Sequence, residues 1–189
     1  MAGEVLLILG LVLLVVVLLI LGWILGTYNR IIRLENRIDN SWGQIDVQLR
    51  RRMDLIPNLV ETVKGYAAHE KGIFENVAKA RAAMMGAQTP GEKMAADNVL
   101  TSTLKTLFAV AENYPQLKAN TNFLQLQDEL THTENNVAFA RQHYNDSVTD
   151  YNNVIQTFPG IIFANMFNKQ RRPVIEAPAA AREAPKVSF

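Results

Sequence analysis

The feature that most constrains this chain is an uncharged apolar run near its N-terminus, residues 5–25, which reads VLLILGLVLLVVVLLILGWIL. A helix of this length covers roughly 30 Å, the thickness of the hydrocarbon core of a bilayer. The core helix of a small soluble domain keeps a polar face, whereas this run has none. We therefore predict a transmembrane anchor over residues 1–27 of the 189-residue chain.

The alternative for this run is a cleaved signal peptide. The preceding residues, MAGE, include an acid and no Lys or Arg, and no A-x-A-type cleavage site follows the run. The run is also longer than the apolar region of a usual signal peptide. We therefore expect an uncleaved anchor that crosses the membrane once.

The basic residues around the anchor predict its orientation. Only Glu4 and the terminal amine precede the run, whereas Arg30, Arg33 and Arg37 follow it. The positive-inside rule then places the C-terminal domain in the cytoplasm. The interfacial aromatic belt on that side is expected to contain Trp23 and Tyr28.

Two glycines within the anchor, Gly22 and Gly26, form a G-x-x-x-G pair on one helical face. Such a pair allows two membrane helices to approach closely, which predicts self-association. The alternative is that the glycines have no packing role, because glycine is common in membrane spans.

Apolar residues after the anchor recur in steps of three and four, which predicts a long amphipathic helix. They are Ile31, Leu34, Ile38, Trp42, Ile45, Leu49, Met53, Ile56, Val60, Val63 and Ala67. The pattern stays in register across Pro57, which favours a kink over a hairpin. A turn between Gly65 and Gly72 leads to a second helix that ends near Met85. In GAQTPGEK (86–93), a Thr89 cap with Pro90 and Glu92 begins a third helix, which ends at Pro115.

The fourth helix shows the most regular pattern, a series of residues spaced seven apart that predicts a packed seam. The series is Phe123, Leu130, Val137, Tyr144, Tyr151 and Phe158, and Trp42 of the first helix belongs to the same seam. A parallel series of mostly small residues runs beside it. No period of two predicts a strand. We therefore expect an all-α fold, in which the anchor is followed by an antiparallel four-helix bundle of long helices over residues 28–158.

Residues 159–172 follow the bundle and combine apolar with basic side chains. Because the fourth helix should return to the membrane, we expect this segment at the bilayer surface. The expected interfacial residues are Phe163, Phe167, Lys169, Arg171 and Arg172. The alternatives are packing beneath the bundle or a contact between copies. The Pro/Ala-rich tail, residues 173–189, is predicted to be disordered.

The composition offers few residues for chemistry. The chain has no cysteine and three histidines, and its 19 basic and 18 acidic residues give no charge excess that would favour nucleic acid. Glu129 and His132 have the spacing of a di-iron ligand pair, but the chain has no second Glu-x-x-His. We predict no catalytic, cofactor or metal site. The arginines at 50–52 are expected on a solvated face, with acidic partners or lipid as the alternative.

The stretch QHYNDSVTDYNN (142–153) could ligate a metal, move a proton or form a polar seam inside the bundle. We favour the seam, because amides and phenols that pair between helices fix their register. The predicted polar seam on the fourth helix consists of Asn122, Arg141, Tyr144, Asn145, Tyr151 and Asn152. Their expected partners on the first helix are Asn29, Asn36, Asn40 and Gln44.

Three stretches together resemble the LemA family of bacterial membrane-anchored helical proteins. They read YNRIIRLENRIDNSW, RRRMDLIPNLVETVKGYAAHE and AVAENYPQLKANTNFLQLQDELTHTENNVAFARQHYNDSVTDYNNVIQTFPG. The resemblance covers roughly residues 5–168 and implies an anchor followed by an antiparallel four-helix bundle. It implies no activity, since the family has no established catalytic residues. Some relatives are associated with magnetosome membranes, which implies a role in membrane organisation or assembly.

These observations favour a non-enzymatic protein of the bacterial inner membrane. We expect it to have the lipid bilayer as a partner, to form a homo-oligomer and to act as a scaffold. The alternative is an adaptor whose bundle binds a membrane protease or another envelope protein. A metal enzyme that uses Glu129 and His132 is the third hypothesis.

Overall fold

The computed structural model describes residues 2–176, and this range is all-α, as predicted. Its helices are α1 (Ala2–Lys64), α2 (Lys71–Gly86), α3 (Pro90–Ala111), α4 (Pro115–Lys118), α5 (Thr121–Gln156) and α6 (Gly160–Met166). Residues 2–176 include no β-strand. Most of the tail that we predicted to be disordered, residues 177–189, lies outside the described residues.

The chain divides into two compact units, and α1 and α5 each contribute to both. Within the described range, unit 1 consists of residues 2–40 and 145–174. Unit 2 consists of residues 41–144 together with 175 and 176. The apolar run and α6 therefore belong to unit 1, and α2, α3 and α4 belong to unit 2.

Unit 2 is a four-helix bundle made of the C-terminal part of α1, α2, α3 and the N-terminal part of α5. Each helix contributes a buried stripe, and the stripes form one core that includes Ile56, Val77, Leu104 and Leu130. The ring of Phe123 on α5 packs edge-on against Phe108 on α3, with centroids 6.1 Å apart. The predicted bundle is therefore present, and apolar burial on all four helices holds it together.

The N-terminus of α3 has the predicted capping box. The Thr89 hydroxyl accepts a hydrogen bond from the Glu92 N–H at 3.2 Å, and the Glu92 carboxylate accepts one from the Thr89 N–H at 3.1 Å. The N–H groups of Gln88 and Thr89 lower the pKa of Glu92. Two otherwise unpaired backbone donors are satisfied, which fixes the start of α3.

The end of α3 differs from the prediction. The helix ends at Ala111, and Pro115 is the first residue of the one-turn helix α4 rather than the end of α3. Proline suits the first position of a helix because that N–H has no helical partner. Leu117 of α4 is fully buried, so this turn is part of the core.

Helix α1 continues through Pro57 because a neighbouring helix supplies the missing hydrogen-bond donor. Proline has no N–H, so Pro57 leaves the carbonyl oxygen of Met53, four residues earlier, without its helical partner. The Nε–H of Arg81 on α2 donates to this oxygen at 3.3 Å. The side chain that spans the gap thereby also joins α2 to α1.

We predicted that the three consecutive arginines of α1 lie on a solvated face, and this is wrong for one of them. Arg50 and Arg51 are exposed and pair with Asp46 and Glu129 at 2.8 and 2.6 Å. Arg52 is instead 2% exposed. It comes three residues after Leu49 and four before Ile56, so it occupies a core position of the stripe.

Arg52 forms a buried ion pair with Asp97 of α3. The two side chains meet at 2.9 Å and are 2% and 4% exposed. A second guanidinium nitrogen of Arg52 lies 3.4 Å from Glu134, whereas its Nε has no hydrogen-bond partner among the described residues. Burial raises the pKa of Asp97, and the attraction of Arg52 offsets part of this rise. The pair therefore joins α1 to α3 while carrying a large desolvation cost.

We expect Arg52→Met to destabilise the bundle by about 3–5 kcal/mol, because it leaves Asp97 buried without a partner. The double variant Arg52→Met, Asp97→Leu should be as stable as the wild type or more stable, because both desolvation costs disappear. Denaturant unfolding of the full chain in detergent, followed by circular dichroism, measures both effects.

Arg51→Met is the matched control for this series, since it removes a neighbouring exposed pair and should cost about 1 kcal/mol or less. If the double variant were as unstable as Arg52→Met, the ion pair would be a net source of stability.

Candidate functional site

The stretch QHYNDSVTDYNN lies on α5, and its buried side chains form one face. Tyr144, Ser147, Val148, Tyr151 and Asn152 are each at most 6% exposed. These positions recur at steps of three, one, three and one, which is the face of a helix that packs at heptad spacing. The polar groups of Tyr144, Ser147, Tyr151 and Asn152 therefore point inward, where each needs a partner.

Tyr151 lies in unit 1 and is hydrogen-bonded at its hydroxyl. That oxygen lies 3.3 Å from a carboxylate oxygen of Glu35 and 3.1 Å from the carbonyl oxygen of Gln170. Both neighbours are acceptors, so they share the single phenolic proton. Burial, and then the charge of Glu35, raise the pKa of Tyr151. The hydroxyl is thereby kept as a neutral donor.

Residues 167–174, here called the returning segment, are bound to α1 and α5 by two further polar contacts. The Lys169 ammonium pairs with Glu35 at 2.6 Å, and both side chains are about one-fifth exposed. The Asn152 amide donates to the Arg172 carbonyl oxygen at 2.8 Å and accepts from the Arg172 N–H at 2.9 Å. One side chain thus satisfies both backbone groups of Arg172, as a neighbouring strand would.

The chain reaches this position through a reversal at the end of α6. Asn168 has a φ of 51°, in the left-handed region that asparagine tolerates better than most residues. The Lys169 N–H donates to the Ala164 carbonyl oxygen at 2.8 Å, which is the long hydrogen bond of a Schellman motif. This motif ends α6 and turns the returning segment back toward Tyr151.

The start of α6 requires a glycine. A Cβ atom at Gly160 would lie 2.0 Å from the carbonyl oxygen of Val154 on α5. No side chain fits in that space, so Gly160 permits α6 to begin directly against the last turn of α5. Of the residues that build this site, sequence analysis missed Glu35, Gly160, Asn168 and Gln170. Only the glycine after Pro159 gave a local signal.

The predicted interfacial residues fall into two groups. Phe163 is 5% exposed inside unit 1, so its predicted interfacial position is wrong. The turn of α6 explains this, because Gly160, Phe163 and Ala164 share its buried face. Lys169 is about one-fifth exposed and pairs with Glu35, and its location at the bilayer surface stays a prediction. Arg171 and Arg172 are exposed, and their location at the bilayer surface stays a prediction.

Unit 1 has a group of exposed apolar side chains, which we call the apolar patch. It consists of Trp23, Phe158, Ile161, Ile162, Met166 and Phe167. The ring of Trp23 contacts Phe158 with centroids 5.8 Å apart, and half-buried Tyr28 contacts Phe167 at 4.7 Å. The aromatic residues near the end of the apolar run therefore touch the segment that follows α5.

The predicted bundle seam is buried over most of its length. Buried members are Phe123, Leu130, Val137, Tyr144 and Tyr151, and Trp42 packs edge-on against Tyr144 at 6.1 Å. Phe158 does not belong to the seam, because α5 ends at Gln156 and Phe158 is 72% exposed.

The predicted amide partners on α1 are wrong. Asn29, Asn36, Asn40 and Gln44 are all exposed. Tyr151 and Asn152 find their partners in Glu35 and in the backbone of the returning segment. The heptad pattern of α5 indicated that these groups are buried, but it carried no information about a segment twenty residues later.

The Glu129–His132 pair does not form a cluster of ligands. Glu129 pairs with Arg51, and His132 lies 3.6 Å from Asp128 on an exposed face. Within residues 2–176, no three His, Asp or Glu side chains are placed to hold a metal ion.

The N-terminal part of α1 is long and apolar enough to span a membrane, by length and composition. Its most apolar window has a mean hydropathy of 3.5, and none of that window is buried against the rest of the described chain. Gly22 and Gly26 are exposed, and apart from the adjacent residues and the helix's own backbone no described atom lies within 4 Å of a Cβ built at either position.

Comparison with known sequences identifies the family. The LemA family model matches residues 41–189, which cover all of unit 2 and the C-terminal part of unit 1. The chain belongs to the LemA family. The resemblance inferred from the three sequence stretches is thereby confirmed.

Several curated proteins are similar to this LemA family chain. Protein LemA of Metamycoplasma hominis is 25% identical over 137 residues, which cover 70% of this chain and 61% of that protein. Magnetosome protein MamQ of Magnetospirillum gryphiswaldense is 24% identical over 162 residues, covering 72% of this chain and 60% of that protein. Magnetosome protein MamQ 2 of Paramagnetospirillum magneticum is 23% identical with the same coverage. The chain thus spans about three-fifths of the length of these relatives.

We expect Asn152→Ala to release the returning segment, because it removes both hydrogen bonds to Arg172. Limited trypsin digestion in detergent should then cut after Lys169 and Arg171 about tenfold faster, since loss of these bonds raises the population of the open state. Mass spectrometry of the fragments measures the rates.

Asn153→Ala is the matched control, because within residues 2–176 the Asn153 side chain is exposed and makes no hydrogen bond with the returning segment. Equal cleavage rates for the Asn152 and Asn153 variants would contradict the role of Asn152.

Proposed function

We propose that this protein is a single-pass protein of the bacterial inner membrane whose helical bundle acts as a scaffold in membrane organisation or assembly. The observation that carries the proposal is the uncovered apolar part of α1, of which none is buried against the described chain. Apolar surface of this extent is unstable in water and is stabilised by transfer into lipid. The similarity to proteins named as magnetosome proteins supports a role at a membrane.

The apolar patch of unit 1 gives a second line of support. Trp23, at the end of the apolar run, touches Phe158, which is 72% exposed. Aromatic residues are enriched where membrane and water meet. If the run crosses the bilayer, the patch lies close to its surface, and the exposed side chains gain an apolar environment.

The orientation follows in this proposal from the arginines beyond the run. Arg30, Arg33 and Arg37 favour a cytoplasmic location for the part of the chain that follows the anchor. We expect the chain to resist alkaline carbonate extraction from membranes. A C-terminal reporter that is active only in the cytoplasm should give signal, and one that is active only in the periplasm should not.

Extraction of the protein by carbonate would contradict the membrane anchor itself. Activity of the periplasmic reporter alone would leave the anchor intact and reverse the orientation.

Self-association is the part of the scaffold proposal that Gly22 and Gly26 support. Both glycines are exposed in the single chain, which leaves their face open to a second α1 helix. We expect Gly22→Ile with Gly26→Ile to reduce cross-linking between copies in native membranes by at least about fivefold, because branched side chains hold the helices apart.

The matched control is Gly10→Ile, a glycine of the same run that has no partner glycine four residues away. Its cross-linking should stay at the wild-type level. A uniform decrease in all variants would indicate poor insertion, and no decrease in the double variant would remove the glycines from the contact.

The second candidate function is an adaptor that presents the bundle to another envelope protein, such as a membrane protease. Phe139 favours this alternative, because this aromatic residue of α5 in unit 2 is 75% exposed. Exposed aromatic side chains are common centres of protein interfaces. The same cross-linking experiment separates the two functions, because links to a different protein in place of self-links favour the adaptor.

A further inference from the structure

A groove in unit 1 contains the first arginine after the apolar run. It has a volume of about 500 Å³ and lies between α1 and the end of α5 with the turn that follows. Arg30, Leu34 and Arg37 line it from α1, while Asp150 and Asn153 line it from α5. The turn contributes Phe158 and Pro159. The groove thus combines cationic, amide and apolar groups.

The charges of the groove favour an anion. Two arginines against one aspartate leave one net positive charge. Arg37 and Asp150 meet at 3.5 Å with both side chains more than half exposed, so this pair is weak. Arg30 is exposed and forms no ion pair with any carboxylate among residues 2–176. Its guanidinium is therefore available to a ligand, and guanidinium groups bind phosphate in a two-pronged geometry.

The apolar wall of the groove relates it to the membrane. Phe158 lines the groove and also contacts Trp23, which lies within the apolar run. Arg30 follows Leu25, the last residue of the run, by five residues, or about 7.5 Å along a helix. The headgroup layer is about 5–8 Å thick on each side of the hydrocarbon core. Arg30 therefore falls at headgroup depth if the run spans the core.

We propose that this groove binds the phosphate headgroup of an anionic phospholipid from the membrane that holds α1. Arg30 binds the phosphate, the Asn153 amide supplies a further donor, and an acyl chain lies against Phe158. This inference rests on the membrane anchor of the proposed function and adds a specific ligand class to it. It also moves lipid recognition from Lys169, which pairs with Glu35, to the arginines of α1.

The test uses the full chain in nanodiscs of phosphatidylcholine that contain about one-third phosphatidylglycerol. Native mass spectrometry measures the ratio of phosphatidylglycerol to phosphatidylcholine that stays bound after release. We expect Arg30→Gln to lower this ratio about fivefold, which corresponds to about 1 kcal/mol for one cation near an anionic surface. Arg30→Lys, which keeps the charge, should lower the ratio less than Arg30→Gln does.

Arg33→Gln is the matched control. It removes one exposed arginine only three residues away, and Arg33 does not line the groove. We expect this variant to keep the wild-type ratio. If the Arg30 and Arg33 variants lowered the lipid ratio equally, the groove would not be a binding site. The result would then reflect only the general attraction of basic residues to an anionic surface.

A competition arm separates a lipid from a free anion. Inorganic phosphate at 10 mM should leave the bound phosphatidylglycerol in place, because the acyl chain adds apolar contacts that a free anion lacks. Displacement by inorganic phosphate would overturn the assignment to a lipid. Carbonate extraction of the same variants is the separate check, since a chain that stays in the membrane without lipid selectivity refutes this inference alone.

Discussion

Helix α1 changes its surroundings along its length while remaining one continuous helix from Ala2 to Lys64. Over residues 5–25 apolar side chains lie on every face, whereas from Ile31 onward a buried position recurs every three or four residues. A helix can serve in both settings because it satisfies its own N–H and C=O groups. The same element can therefore enter lipid and supply the first helix of a bundle, and no loop has to cross the boundary between them.

Continuity of this kind requires that each interruption be compensated by a neighbour. Pro57 would leave the Met53 carbonyl without a donor, and Arg81 of α2 supplies one at 3.3 Å. The charge of Arg52, which the stripe of α1 places inside the core, is matched by Asp97 of α3. Both cases follow from the cost of an unpaired polar group in a buried position, about 1–3 kcal/mol and more for a charge. The polar contacts of the bundle thus determine which helices can lie beside α1.

Sequence patterns predicted the elements of this fold far better than the contacts between them. Heptad spacing on α5 identified the buried positions from Phe123 to Tyr151, and the Thr89–Glu92 spacing identified the start of α3, because these signals are local. Arg52 was misassigned because a run of three arginines suggests solvent, although its spacing from Leu49 and Ile56 places it in the core. Partners such as Glu35 and Gln170 of Tyr151 lie 116 and 19 residues away. No periodicity encodes a contact of that kind.

The polar stretch on α5 also shows why a cluster of tyrosine and asparagine need not carry chemistry. A group that transfers protons needs a pKa near the working pH and access to a substrate. The pKa of Tyr151 is raised and its hydroxyl is shared by two acceptors, while Asn152 uses both ends of its amide on Arg172. The side chains of Tyr151 and Asn152 are therefore hydrogen-bonded to the returning segment of their own chain. In the groove of unit 1, by contrast, Arg30 is exposed and has no carboxylate partner within residues 2–176, and this contrast favours lipid recognition over a reaction in unit 1.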